Sequence, residues 1–243
     1  MSTNPILQEK TPQPKTQTLK KAFIATAPVA FGYIPTGIAF SMLLISTGYS
    51  PILAILMSIF VYAGSMQFLS VELLATGASF IQIALLTFLV NARHIFYGLS
   101  LFKIFDKQGK KKPYMIYSLT DETYTLFTST TAPSDVDEDK YYFYISLFDH
   151  SYWVLGTILG AVLGASLTIN TTGMDFALTA MFTVMLIEQI LSKTPNIIFL
   201  ISAASGILCI VFLPANMMLL SSILLALALT FAFRKVVVKN AQQ

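Results

Sequence analysis

Charge is what this sequence has least of. Only 11% of its 243 residues are charged and 55% are hydrophobic, with mean hydropathy +0.70, whereas soluble domains carry roughly 25% charged residues. The length would suit one or two soluble domains, but this balance excludes them and points to a polytopic membrane protein. Cysteine is nearly absent too. The single Cys209, in the apolar run IIFLISAASGILCIVF, excludes an intrachain disulfide and reads as a small buried hydrophobe. The chain has no H-E-x-x-H, G-x-S-x-G or Walker motif, so enzyme readings lack a constellation and no cofactor or metal is expected. Its lysines gather at the ends of apolar runs, which gives no support for nucleic-acid binding. The opening MSTNPILQEKTPQPKTQTLKK has no short apolar core followed by a small-residue cleavage site, so a signal peptide is not expected.

What is present is a series of eight apolar stretches, near 22–46, 51–75, 78–102, 114–131, 141–168, 175–192, 196–213 and 215–233. A crossing takes about 20 residues. The expected fold is therefore all-α, a polytopic membrane helix bundle of about seven to eight hydrophobic segments. The expected organisation is a disordered cytoplasmic tail over 1–21, a single transmembrane domain over 22–233 and a basic C-terminal tail over 234–243. Links such as Gly48-Tyr49-Ser50-Pro51 and Pro214-Ala215-Asn216 read as tight turns.

Basic clusters mark the cytoplasmic side. They are Lys10, Lys15, Lys20 and Lys21; Lys103, Lys107, Lys110, Lys111 and Lys112; and Arg234, Lys235 and Lys239. The acidic loop Asp135, Asp137, Glu138 and Asp139 is expected outside. Three stretches separate the first two clusters and five the next two, and both numbers are odd. Full crossings alone cannot put all three clusters on one side. Either one cluster breaks the rule or each half holds a broken or re-entrant segment. The first stretch, with Pro28, Gly32, Pro35 and Gly37, and the second, with Tyr62-Ala63-Gly64-Ser65 before Gln67, have the composition of interrupted helices; a kinked helix that still crosses is the alternative. Odd crossings per half also allow an inverted repeat pairing stretches one to three with four to six.

Two polar constellations interrupt the apolar runs. Asn91, His94 and Tyr97 are spaced by three, and Arg93 and Tyr97 by four, so they share one helical face. A charge near the membrane centre costs about 3 kcal/mol and usually faces a bundle interior or aqueous cavity; snorkelling to the Lys103 end is the alternative. In YSLTDETYTLF, Asp121 and Glu122 are either an acidic N-cap at the membrane edge or buried acids near Arg93 and His94. Glu72, Asp149, His150, Asp175 and Glu188 are further polar residues in apolar runs, Glu188 being paired most simply with Lys193. Gly156, Gly160 and Gly164 recur every four residues after Asp149-His150 and read as helix packing.

The strings P-x-x-F-G-Y-I-P-T-G-I-A-F from Pro28, Tyr62-Ala63-Gly64-Ser65-Met66-Gln67-Phe68, Asn91-Ala92-Arg93-His94 with Tyr97-Gly98-x-Ser100-Leu101, and Leu119-Thr120-Asp121-Glu122 resemble AzlC-type proteins, the large subunits of bacterial branched-chain amino acid exporters. The resemblance runs in order over about residues 22–192. It implies a multi-pass secondary transporter of the bacterial cytoplasmic (inner) membrane exporting valine, leucine and isoleucine, with methionine as a further candidate. It also implies proton coupling and a small AzlD-type membrane subunit, while the sequence offers no support for a nucleotide-binding subunit. Carried onto this chain, the substrate and ion pathway comprises Gly32, Tyr33, Pro35, Gly37, Gln67, Asn91, Arg93, His94, Asp121 and Glu122. Arg93 suits a substrate carboxylate, Asp121 or Glu122 its ammonium, and Phe31, Ile34, Met66 and Phe68 an aliphatic side chain. A channel-like facilitator of small amphiphilic solutes, without proton coupling, is the alternative.

Overall fold

The computed structural model describes residues 15–166, 176, 179, 183, 186, 187, 190 and 196–234, and among these the regular structure is helical with no strand. The helices are α1 (Lys15–Ser46), α2 (Pro51–Phe60), α3 (Gly64–Ala75), α4 (Phe80–Asn91), α5 (Arg93–Ser100), α6 (Phe102–Asp106), α7 (Lys112–Tyr117), α8 (Asp121–Ser129), α9 (Glu138–Ser166), α10 (Asn196–Phe212) and α11 (Ala215–Ala232). α1 and the α4–α5 run are long and apolar enough to cross a membrane. The described residues form two compact units, the first from 15–45, 49–63 and 93–166, the second from 46–48, 64–92 and 196–234. Asp175, Glu188, Lys193 and both ends of the chain, 1–14 and 235–243, lie outside the described residues.

The expectation of a break in the first stretch is corrected. α1 is one continuous helix with Pro28 and Pro35 inside it. Its buried stripe runs Thr18, Ala22, Thr26, Tyr33, Gly37, Phe40 and Leu44, while both prolines lie on the opposite, exposed face. A helix tolerates proline best where the disturbed turn faces away from packed neighbours. Within that turn the Thr36 hydroxyl donates to the Gly32 carbonyl at 2.6 Å.

The second stretch is broken where expected. α2 starts at the Ser50 cap, whose Oγ accepts from Ile52 N, with Pro51 in its first turn. It stops after ten residues, and Tyr62 takes a left-handed φ of 43°. The fourth stretch is broken too, between α7 and α8.

In the first unit α1 and α9 run parallel: Thr26 meets Tyr152, Ile34 meets Gly156, Ile38 meets Gly160 and Ile45 meets Gly164. The glycines permit this approach. A Cβ on Gly160 would sit 2.5 Å from the Ile38 carbonyl oxygen, and one on Gly37 2.9 Å from that of Trp153. The packing reading of the glycine repeat holds, and it extends to Gly37.

Both polar ends of the α7–α8 hairpin lie at the N-terminal end of α9. Lys112 pairs with Asp106 at 3.6 Å and Lys111 lies over the Phe143 ring. After α8, Asp135 pairs with Lys21 and accepts from Gln17 Nε2 at 2.6 Å, and Glu138 lies 3.9 Å from Lys107. Leu101, Phe105, Met115, Phe127, Tyr142 and Ile145 fill the core behind them. The acidic loop therefore shares an end with two basic clusters, which corrects the expectation that it lies on the opposite side. Acids carry little topological information, so local pairing with lysines decides their position.

The second unit contains α3, α4, α10 and α11. Gly77, at φ 66°, closes α3, and Ser79 caps α4 by accepting from Gln82 N at 3.3 Å. Met66, Gln67 and Phe68 are buried in α3, and Cys209 is a buried free thiol in α10.

Candidate functional site

The site grows from the two helix breaks in the first unit. A helix that stops leaves its last carbonyls without intrahelical donors, and in an apolar setting each needs another. At the end of α2, the His150 Nε2–H donates to Ser58 O at 3.2 Å and the Tyr117 hydroxyl donates to Ile59 O. The Tyr114 hydroxyl donates to His150 Nδ1 at 3.0 Å, which fits the neutral tautomer carrying its proton on Nε2. The Tyr62 ring, held by its left-handed backbone, lies 4.3 Å from the His150 ring.

The second break is the tip of the α7–α8 hairpin. Thr120 caps α8, its Oγ1 accepting from Thr123 N at 3.3 Å, and Asp121 and Glu122 occupy the first turn, where the helix dipole favours negative charge. The N-cap reading of this acidic pair is correct in its local geometry. The cap nevertheless stands deep in the unit, with Thr120 and Thr123 buried against α9. The Thr123 hydroxyl donates to Asp149 Oδ2 at 2.8 Å. Adjacent residues of α9 thus each hold one broken helix, His150 the end of α2 and Asp149 the start of α8. Asp149 is wholly buried, and its Oδ1 has no hydrogen-bond partner among the described residues.

Beside the tip, Arg93 Nη2 lies 2.8 Å from Asp121 Oδ2. The two constellations of the sequence therefore meet, through Asp121. Tyr97, one turn from Arg93, stacks on Tyr124 at 4.3 Å and meets the His94 ring edge-on. Tyr33 reaches the tip from α1, 2.6 Å from Glu122 Oε2 and 2.7 Å from Thr120 Oγ1.

Other expected residues lie elsewhere. Gly32 and Pro35 are on the exposed face of α1, where a Cβ on Gly32 would meet nothing within 4 Å. Phe31 is 84% exposed, and the Ile34 backbone packs on Gly156. Gln67 and Asn91 belong to the second unit. Sequence reasoning missed Asp149, His150, Tyr114, Tyr117, Thr120 and Thr123 as parts of one centre. The available signal was an aspartate and a histidine inside a long apolar stretch.

Half-helices converging on a buried polar centre within an otherwise apolar bundle define a membrane transport protein. The description "AzlC protein" attaches to the family whose profile matches residues 28–167. The chain belongs to this AzlC family, a family of membrane transport proteins. It is 34% identical over 219 residues to a Helicobacter pylori "Uncharacterized membrane protein", covering 90% of this chain and 96% of that one. It is 32% identical over 216 residues to the Bacillus subtilis "Branched-chain amino acid transport protein AzlC", covering 89% and 85%. It is 28% identical over 192 residues to the Escherichia coli "Inner membrane protein YgaZ", covering 77% and 78%. No solved structure matches the chain.

Proposed function

We propose that the protein is a multi-pass secondary transporter of the bacterial inner membrane. In this reading it exports valine, leucine and isoleucine, with methionine as a further substrate, in exchange for protons. It works with a small AzlD-type membrane subunit, and the charged end of the first unit is cytoplasmic. The substrate class is supported by the Bacillus subtilis relative, named for branched-chain amino acid transport.

The observation that carries the reading is the Arg93–Asp121 pair at 2.8 Å, beside the tip of a broken helix. A zwitterion needs a cation for its carboxylate and an anion for its ammonium. A salt bridge that opens supplies both at the spacing of one α-carbon, and it closes again when the substrate leaves, so each charge keeps a counter-charge throughout. The first turn of α8 adds a second attraction for the carboxylate. One apolar side chain buried alongside is worth about 1.5–3 kcal/mol, so discrimination between valine and leucine would be modest.

The test is efflux of labelled valine from loaded proteoliposomes containing the chain with its small subunit, with and without an imposed pH gradient. The expected result is efflux accelerated by a gradient that drives protons inward and lost in Arg93→Gln. Gradient-independent downhill flux at channel-like rates would overturn the coupled reading in favour of a facilitator.

A further inference from the structure

A continuous string of oxygen contacts joins the buried Asp149 to the exposed Glu122. Asp149 Oδ2 lies 2.8 Å from Thr123 Oγ1, which lies 3.0 Å from Thr120 Oγ1. Thr120 Oγ1 lies 2.7 Å from the Tyr33 hydroxyl, itself 2.6 Å from Glu122 Oε2. The three hydroxyl residues are buried, and they come from α1, the α8 cap and α8.

Counting protons decides what the string can do. It has four contacts, and its three hydroxyls own one proton each. With both carboxylates ionised, one contact brings two lone pairs face to face in a buried setting, which is unfavourable. One further proton fills all four contacts, and it fills them whether it sits on Asp149 or on Glu122. With Asp149 protonated, every hydroxyl donates toward Glu122; with Glu122 protonated, every hydroxyl donates toward Asp149.

We propose that Asp149 and Glu122 share a single proton through Tyr33, Thr120 and Thr123, and that this string is the proton relay of the transporter. The transfer balances atom by atom. The Asp149 proton passes to Thr123, the Thr123 hydroxyl proton to Thr120, that of Thr120 to Tyr33 and that of Tyr33 to Glu122. One proton moves, and each hydroxyl keeps one. Around Asp149 the neighbouring titratable groups are Glu122, His150 beside it on α9, and the phenols of Tyr62, Tyr114 and Tyr152. Around Glu122 they are Tyr33, Tyr62 and the adjoining Asp121 with its partner Arg93. Use of the relay in transport rests on the proton-coupled reading above; the shared proton does not.

The test is infrared difference spectroscopy of the purified full chain, following the carbonyl stretch of protonated carboxyls. An amide in place of either acid supplies the missing donor, so Asp149→Asn and Glu122→Gln should each remove the same band. Thr123→Val severs the string, and in that background Glu122→Gln should no longer alter the Asp149 signal. Thr123→Ser keeps a hydroxyl and should keep the coupling, which separates the relay from damage to the fold. A band that survives Glu122→Gln in the otherwise unaltered chain, or one insensitive to Asp149→Asn, overturns the relay. Valine efflux that ignores the pH gradient while both substitutions remove the band would instead overturn coupled transport and leave the shared proton standing.

Discussion

Arg93 and Asp121 sit 2.8 Å apart with about a third of each side chain exposed, 32% and 33%. A pair this open stabilises by no more than about 1 kcal/mol. Its loss should therefore show in transport far more than in folding. Arg93→Gln and Asp121→Asn are each expected to abolish valine efflux while the unfolding midpoint of the purified protein moves only slightly. Loss of transport together with collapse of the fold would make the pair structural. The pairing was legible in the sequence because an arginine in an apolar run needs a counter-charge, and Asp121-Glu122 follows within 30 residues. Asp149 was legible as an anomaly but not as part of the site. Its partner Thr123 lies on another helix, and the glycine repeat beside it drew the stretch toward a packing explanation.

At the scale of the element, the α1–α9 seam and the helix ends make separate predictions. A Cβ on Gly156 would overlap the Ile34 backbone, which cannot swing aside as a side chain can. Gly156→Ala should destabilise by about 1–3 kcal/mol, the usual range for an overfilled contact, measured by thermal unfolding in detergent. Gly32→Ala meets open space and should not lower the midpoint. Tyr117→Phe removes the donor to Ile59 O at the end of α2. Its expected effect is a loss of about 0.5–1.5 kcal/mol, the net worth of one hydrogen bond at a partly exposed contact. Hydrogen exchange should then rise at the C-terminal end of α2. The break in the second stretch could be anticipated from Tyr62-Ala63-Gly64-Ser65. The continuity of α1 could not, because proline counts the same on either face of a helix, and only packing shows which face is free. The break before α8 was legible only in part: Thr120-Asp121 reads as a cap in the sequence, but no proline or glycine follows Tyr117 to mark where α7 stops.

At the scale of the molecule, the fourth apolar stretch is not a full crossing, which removes one from the odd five between the second and third basic clusters. The α7–α8 hairpin enters and leaves at one end, and its tip reaches Asp149, eleven residues into α9. At 1.5 Å per residue that depth is about 16 Å, roughly half of a 30 Å hydrocarbon core. The lysines near residues 21 and 107 consequently meet the acidic loop between α8 and α9. The Lys21 ammonium bonded to Asp135 holds that carboxyl below its ordinary value. A depressed carboxyl contributes stability above its unfolded pKa, near 4, and loses it as pH falls through the folded value. Asp135→Asn should therefore lower the unfolding midpoint at neutral pH, and the two proteins should converge in acid. A difference that persists unchanged at the lowest pH would place the effect elsewhere.

The exchange of protons for amino acid is the claim on which the functional account turns, and lumenal pH reports it most directly. Proteoliposomes containing the chain and its small subunit are loaded with a pH-sensitive dye, and valine is supplied on one side with no gradient imposed. The expected result is a valine-dependent pH change that scales with valine moved, is absent in Arg93→Gln, and is lost in Thr123→Val but kept in Thr123→Ser. Valine movement with no accompanying change in lumenal pH would contradict it.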